Sequence, residues 1–167
     1  AEASYQQAFQ HLDRMTERER YRTLGGYYLL VSKNFAKAIE NYQALVDAYP
    51  ADGAGHSNLA LAYLSVRDFD RAVESGRRAV ELAPNNIIRR INYSMYAMYA
   101  GDFETAIAES RNVLEQNPDF GYALFTIGRA AGAAGDVEAA HDAFEELQAS
   151  GGMGSSLAPM GHGDLAL

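Results

Sequence analysis

Histidines, carboxylates and one glycine-rich segment are the parts of this sequence that could take part in chemistry. The four histidines are His11, His56, His141 and His162. No two of them stand at a spacing such as His-x-x-x-His, which places two metal ligands on one helix face. Acidic pairs such as Glu145 and Glu146 fall on helix faces where charged side chains are normally solvated. We therefore predict no metal site and no catalytic carboxylate.

The glycine-rich segment at 151–156 reads Gly-Gly-Met-Gly-Ser-Ser and lacks the lysine that a phosphate-binding loop requires. Neither a dinucleotide-binding glycine motif nor a nucleophile elbow occurs in the chain. Cysteine is absent, which excludes disulfides, thiolate metal ligands and cysteine nucleophiles. The sequence predicts a protein that binds no cofactor and is not an enzyme.

The composition, with 48% apolar and 22% charged residues, is typical of a folded protein. The formal net charge of -8 disfavours nucleic acid as a partner, because phosphate binding needs an excess of Lys and Arg. No apolar run reaches the roughly 18 to 20 residues of a membrane span, so no membrane partner is expected. Residues 1–10 lack the pattern of a signal peptide. We expect a cytoplasmic location, and a periplasmic one stays open.

The elements that must position any functional residue follow a repeat of 34 residues. The residues that recur at this spacing are Phe35, Phe69, Phe103 and Val137; Ala38, Ala72, Ala106 and Ala140; and Pro50, Pro84 and Pro118. Between them, apolar residues stand three and four positions apart, which indicates amphipathic helices, and each proline marks a helix end. A fixed period of this size is typical of a helical repeat array, in which stacked units share one core.

Turn and capping residues divide the chain into helix pairs. Thr16 and Glu19 have the spacing of a reciprocal N-terminal cap, Asp52 is a second cap, and Gly101 permits a left-handed helix end. Asp119 is predicted to begin a helix over 122–134. We expect the second helix of a truncated repeat at 4–13, complete repeats at 17–50, 53–84, 87–118 and 121–150, and the first helix of another truncated repeat at 155–167.

These units resemble the tetratricopeptide repeat (TPR) family over nearly the whole chain. With the prolines at position 32, position 20 is always alanine, and position 8 is small in all four copies: Gly26, Ala60, Ser94 and Gly128. Position 24 varies from Tyr42 and Phe144 to Gly76 and Ser110. The resemblance implies an all-α fold, a right-handed α-solenoid of stacked antiparallel helix pairs that forms the TPR superhelix.

The resemblance also implies that the first helices line a concave groove. The residues at the groove positions are Tyr27, Leu30, Asn58, Leu61, Leu64, Ile88, Asn92, Met95, Met98, Tyr99, Tyr122, Phe125 and Arg129. Apolar stripes at helical spacing also form cores, so both a core and a groove role stay open for each residue. Basic groove residues for clamping a terminal carboxylate are limited to Arg20 and Arg129, and such a clamp is not expected.

The predicted function is a protein–protein interaction scaffold that binds a peptide or protein segment of unknown identity in this groove. The alternative is a structural module that forms homo-oligomers through its end helices and apolar groove. A second resemblance, carried by residues 15–28 and 56–60, is to the repeat arrays of bacterial signalling proteins such as serine/threonine kinases, cyclases and transcription regulators. It implies that the chain is a fragment of a larger signalling protein.

Overall fold

The computed structural model describes residues 2–150, and every regular element in that range is helical. The α-helices are α1 (Glu2–Phe9), α2 (Glu17–Leu30), α3 (Phe35–Ala48), α4 (Gly53–Ser65), α5 (Phe69–Glu81), α6 (Ile87–Ala100), α7 (Phe103–Gln116), α8 (Gly121–Ala133) and α9 (Val137–Ser150), with a 3-10 helix at Leu12–Arg14. The helices α2 to α9 form four consecutive pairs. The further first helix predicted at 155–167 and the glycine-rich segment lie outside the described residues.

Side-chain caps begin most of these helices where the sequence places them. Thr16 and Glu19 form the reciprocal capping box of α2, with the Glu19 amide donating to the Thr16 hydroxyl at 3.3 Å. The side chains of Asp52 and Asn86 each accept a hydrogen bond from the backbone N–H group three residues later in the chain. They thereby cap the starts of α4 and α6. Each such cap satisfies an otherwise unpaired backbone donor and contributes about 1 kcal/mol.

The turn inside each helix pair contains a residue with a left-handed backbone, always at the same repeat position. These residues are Lys33, Arg67, Gly101 and Gly135, with φ angles of 57°, 60°, 85° and 87°. Glycine adopts this conformation without a steric penalty, whereas a side chain disfavours it. The left-handed conformation therefore costs conformational free energy at Lys33 and Arg67 in the first two turns, but not at Gly101 and Gly135 in the last two.

The chain divides into two compact units, residues 1–83 and residues 84–167. In the described part of the first unit, the largest buried side chains include Tyr42, Leu45 and Tyr63. In the second unit, Leu124, Phe144 and Leu147 form one core cluster, and Ile91, Val113 and Ala123 form another. All four position-20 alanines are completely buried, which allows the close helix approach that the sequence pattern predicts.

Positions 8 and 24 are matched in size in the third and fourth repeats. A Cβ atom on Gly128 would lie 2.5 Å from the Phe144 ring, so glycine is needed beside this aromatic residue. In the third repeat both residues are serines, and their hydroxyls form a buried hydrogen bond of 2.7 Å between Ser94 and Ser110. Ser110 and Ser94 thus fill the space that Phe144 and Gly128 fill in the fourth repeat.

Two predicted boundaries differ from the structure. The helix expected at 4–13 ends at Phe9, and a turn then leads into the short 3-10 helix at Leu12–Arg14. Asp119 does not cap α8, because the residue that precedes this helix is Phe120, which makes no side-chain capping bond. Within the described range, no helix is long and apolar enough to span a membrane.

Candidate functional site

None of the thirteen predicted groove residues is buried. Six are exposed: Leu30, Leu61, Ile88, Tyr99, Tyr122 and Arg129. Seven are half-buried: Tyr27, Asn58, Leu64, Asn92, Met95, Met98 and Phe125. The stacking core is therefore filled mainly by other residues, and these first-helix positions retain surface that a partner can contact.

An open pocket of about 490 Å³ lies in the second unit. It is lined by Ile88, Ile91, Asn92, Met95, Asn117, Asp119, Phe120 and Tyr122, and we call it the α6–α8 pocket. Four of the lining residues are predicted groove residues, and the volume is in the range of ligand-binding pockets. The other predicted residues of this unit lie outside it.

Helix α6 supplies one wall of this pocket because its side chains divide between two faces. Ile88, Asn92 and Met95 stand four and three residues apart, a spacing that places them on one side of a helix. Tyr93 and Tyr96 point into the core instead. Burial raises the pKa of Tyr96 to about 12, since an ionised phenolate would lose its hydration there.

The opposite wall comes from the turn between α7 and α8. Phe120 packs against the cluster of Ile91, Val113 and Ala123, and its ring centroid lies 6.2 Å from that of Tyr122. Asp52 and Asn86 hold the same repeat position and cap their helices with their side chains. Phe120 has a similar backbone conformation, but its side chain has no acceptor atom for a capping hydrogen bond. At this position an apolar pocket wall therefore replaces a helix cap.

Three polar side chains of the α6–α8 pocket are available to a ligand. Asn92, Asn117 and Asp119 form no side-chain hydrogen bond or ion pair within the described part of the chain. Amide groups can both donate to and accept from a peptide backbone, and the exposed Asp119 carboxylate can attract a cation. The pocket thus combines apolar walls with a few convergent polar groups.

The equivalent surface of the first unit is partly covered by the chain itself. Tyr27 holds the repeat position of Met95, and its ring lies 4.8 Å from Phe9, 5.5 Å from Tyr28 and 6.0 Å from Tyr5, measured between centroids. These edge-on contacts are typical of stabilising aromatic clusters. Helix α1 therefore covers part of the surface that the sequence assigns to the groove.

The remaining predicted residues divide between packing and exposure. Phe125 lies 6.2 Å from Phe144, and Met98 packs against the cluster of Ala97, Ala106 and Ala130, so both contribute to the core of the second unit. Leu30 is 54% exposed and Leu61 is 36% exposed. The predicted set is thus mixed, and the pocket is the part in which apolar and polar members converge.

A buried carboxylate links two repeats of the first unit. Asp52 has a completely buried side chain and accepts hydrogen bonds from Arg18, Arg22 and the Gly55 amide at 2.8–3.1 Å. Burial raises the pKa of Asp52, but the hydrogen bonds from Arg22, Gly55 and Arg18 outweigh it and lower the value to about 2. The ionised carboxylate therefore stabilises the packing of α2 against the start of α4.

Two other charged clusters are less suited to binding a ligand. A cleft of about 260 Å³ in the first unit is lined by Arg71, Arg77 and Arg78, but these arginines pair with Asp68 and Glu81. On α9, the ligand atoms of His141, Asp142 and Glu145 lie within 4.8 Å of one another, and all three residues are exposed. A single exposed turn of one helix is an ordinary solvated surface.

The sequence did not identify Ile91, Asn117, Asp119 and Phe120 as pocket residues. Ile91 is a buried residue of the first helix α6, and the other three lie outside the first helices. A signal for Phe120 was present: its counterparts Asp52 and Asn86 are capping residues, and a phenylalanine at this position breaks the local rule. The two polar residues carry no comparable signal, since asparagine and aspartate are common in turns.

Paired antiparallel helices with a 34-residue register and an accessible first-helix surface define a helical repeat protein. The tetratricopeptide repeat family model matches residues 23–87 and 94–155, and the chain belongs to this family. A comparison with curated proteins found no match. The fold class predicted from sequence, an all-α TPR solenoid, is confirmed.

Solved structures with low sequence identity share this fold. YrrB, described as a TPR protein with an unusual peptide-binding site, has 19% identity and a TM-score of 0.85, with 96% of this chain and 84% of that one covered. MamA AMB-1 has 20% identity and a TM-score of 0.77, with 92% of this chain and 87% of that one covered. MamA from Desulfovibrio magneticus RS-1 has 15% identity and a TM-score of 0.74, with 82% of this chain and 77% of that one covered.

Proposed function

We propose that this chain is a protein-interaction module that binds a peptide segment of another protein through the α6–α8 pocket. The observation that carries the proposal is the pocket itself, in which apolar walls from Ile88, Met95 and Phe120 surround amide groups without partners in the described chain. An apolar peptide side chain would lose contact with water there, while Asn92 and Asn117 hydrogen-bond its backbone.

Two further observations support a binding role. Phe120 forms a pocket wall at a position where a capping residue would add about 1 kcal/mol of stability, and such local conflicts are expected at functional sites. YrrB, which shares the fold, is described as having a peptide-binding site. The TPR fold is a scaffold fold, and the absence of enzymatic activity stays a prediction for this chain.

A matched pair of substitutions tests the proposal. Peptides selected from a random synthetic library on the unmodified chain are titrated against Met95→Glu and Leu61→Glu, which alter the same repeat position in the two units. We expect Met95→Glu to weaken binding at least about 100-fold, since a charge would enter an apolar wall. We expect Leu61→Glu to change it less than about threefold. Equal effects of both variants would contradict the proposal.

Unfolding must be separated from loss of the site. Far-UV circular dichroism and thermal unfolding report whether Met95→Glu retains its helices. The variant Ile88→Ser provides a second measurement, because Ile88 is 55% exposed and its replacement removes apolar surface without opening a core cavity. Selected peptides that bind Ile88→Ser as tightly as the unmodified chain would place the binding surface elsewhere.

Self-association is a second candidate function, favoured by the exposed aliphatic side chains of Leu30, Leu61 and Ile88. Sedimentation at several concentrations distinguishes the two, because a mass that does not depend on concentration excludes assembly. The descriptions of the similar structures mention no signalling role. Membership in a bacterial signalling protein and a cytoplasmic location therefore stay predictions.

A further inference from the structure

Negative charge is distributed unequally between the two units. Residues 1–83 contain 10 Lys and Arg against 11 Asp and Glu, whereas residues 84–167 contain 4 against 11. Nearly all of the net charge of -8 therefore belongs to the unit that holds the α6–α8 pocket. Such an imbalance produces a potential that attracts cationic partners and repels anionic ones.

The lining of the pocket has the same sign. Asp119 is its one ionisable carboxylate, and neither Lys nor Arg is among the residues that line it in the described chain. The Asp119 side chain is exposed and pairs with no described residue. A carboxylate in this state can form an ion pair with a ligand without first breaking an internal one.

The Tyr122 ring offers a second group for a cation. Tyr122 is 45% exposed and lies beside Phe120 at the pocket edge. Elsewhere the chain uses tyrosines in this way, with the Arg71 guanidinium 4.5 Å and the Lys37 ammonium 5.2 Å from the ring centroids of Tyr63 and Tyr28. A cation over an aromatic face is attracted by the negative charge of the π-electrons.

We infer that the α6–α8 pocket takes a basic amphipathic peptide segment, one whose apolar side chain enters between Ile88 and Phe120 while a neighbouring Lys or Arg pairs with Asp119. This inference rests on the proposed function and specifies its partner class. The apolar contact supplies most of the affinity, and the charge pair selects against acidic segments.

Two labelled synthetic peptides with identical leucine positions test the charge preference. One carries lysine at every polar position and the other carries glutamate. We expect the lysine peptide to bind the unmodified chain at least about tenfold more tightly, and rising salt to reduce the difference. Tighter or equal binding of the glutamate peptide, weakened by Ile88→Ser, would overturn the inference while the proposed function stands.

A pair of substitutions with the same charge change locates the contact. We expect Asp119→Asn to weaken binding of the lysine peptide about three- to tenfold, and Glu115→Gln, an exposed carboxylate outside the pocket, to weaken it less than about twofold. Equal effects would mean general attraction to an acidic surface and would overturn the assignment to Asp119.

Three further results decide whether the pocket takes this peptide. If neither peptide's affinity responds to Ile88→Ser and peptides selected from the random library do not respond either, the proposed function itself fails. If the unmodified chain sediments as a dimer that Ile88→Ser dissociates, the occupant is a second copy and the inference fails. A monomer that binds the lysine peptide with the expected responses to Ile88→Ser and Asp119→Asn supports it.

Discussion

The first helices α2 and α6 carry Tyr27 and Met95 at the same repeat position, yet the two residues have different surroundings. Tyr27 packs among the rings of Tyr5, Phe9 and Tyr28, whereas Met95 lines an open pocket. Both side chains are half-buried, so burial alone does not separate them. Their surroundings separate them, because helix α1 contacts Tyr27, whereas Met95 stays accessible in the α6–α8 pocket.

The residues that precede α4 and α8 show the same contrast. Asp52 is a fully buried cap that also pairs with two arginines, whereas Phe120 at the equivalent position caps nothing and forms a pocket wall. Asp52 therefore contributes stability to the first unit, whereas Phe120 contributes an accessible surface to the second. Differences between copies, rather than the shared pattern, indicate where function lies.

The largest effect is expected from removing the carboxylate of Asp52. Asp52→Ala leaves Arg18 and Arg22 without their shared partner and deletes a helix cap, and we expect a loss of about 3 kcal/mol in the free energy of unfolding. Urea denaturation measures it. A change below about 1 kcal/mol would contradict the stabilising role of this residue.

The same residue predicts an acid response. Because the folded-state pKa of Asp52 is about 2 and unfolded aspartate has a pKa of about 4, its contribution is complete above about pH 4 and is lost as the pH falls through about 2. The contribution is on the order of 2 kcal/mol. The variant Asp52→Asn keeps a capping oxygen but cannot be protonated in this range. Its free energy of unfolding, measured against pH, should therefore lack the decrease that is caused by protonation of Asp52. An unchanged acid profile would argue against it.

The aromatic cluster and the pocket are compared directly by truncating Tyr27 and Met95. We expect Tyr27→Ala to cost about 2 kcal/mol, since three ring contacts are lost, and Met95→Ala to cost less than about 1 kcal/mol. Thermal unfolding of the two variants under the same conditions measures the difference. A larger loss for Met95→Ala would assign Met95 to the core.

Phe120 lines the pocket at a position where a polar side chain would cap α8. The substitution Phe120→Asn gives α8 the cap that Asn86 provides for α6, and its backbone already has φ -78° and ψ 85°, near the -88° and 97° of Asn86. We expect the added cap to offset the lost packing to within about 1 kcal/mol, while affinity for selected peptides falls at least about tenfold. Retained affinity would show that the ring is not part of the site.

The smallest effects concern the left-handed turn residues. Arg67→Gly should stabilise the first unit by about 0.5 kcal/mol, and Gly101→Ala should destabilise the second by about 1 kcal/mol. Nothing lies within 4 Å of a Cβ atom added to Gly101, so its change isolates the backbone conformation. The shifts of the denaturant midpoint, at unchanged slope, measure both changes in stability. If the two substitutions changed stability in the same direction, the left-handed backbone would not be the cause.

The fold could be predicted from the sequence because close helix packing restricts residue size at fixed places. Ala38 and its copies are completely buried at helix crossings, so their recurrence reports the architecture itself. The caps at Thr16 and Asp52 were predictable for a similar reason, since few residue types can satisfy free backbone N–H groups.

The pocket could be predicted only in part. The 34-residue register places Ile88, Asn92, Met95 and Tyr122 on first-helix faces, but it does not show that the α7–α8 turn brings Asn117 and Phe120 beside them. Nor does it show that helix α1 covers Tyr27, because that contact depends on how α1 packs against α2. Loop conformation and end packing are tertiary properties that a repeat pattern leaves undetermined.

The central claim is that the α6–α8 pocket, and not the equivalent surface of the first unit, binds a peptide side chain. Titration of a selected peptide into the methyl-labelled chain, followed by nuclear magnetic resonance, tests it most directly. We expect the largest chemical-shift changes at the methyl groups of Ile88, Ile91 and Met95, with those of Leu30 and Leu61 unaffected. Shifts centred on Leu30 and Leu61, with the pocket methyl groups unchanged, would contradict it.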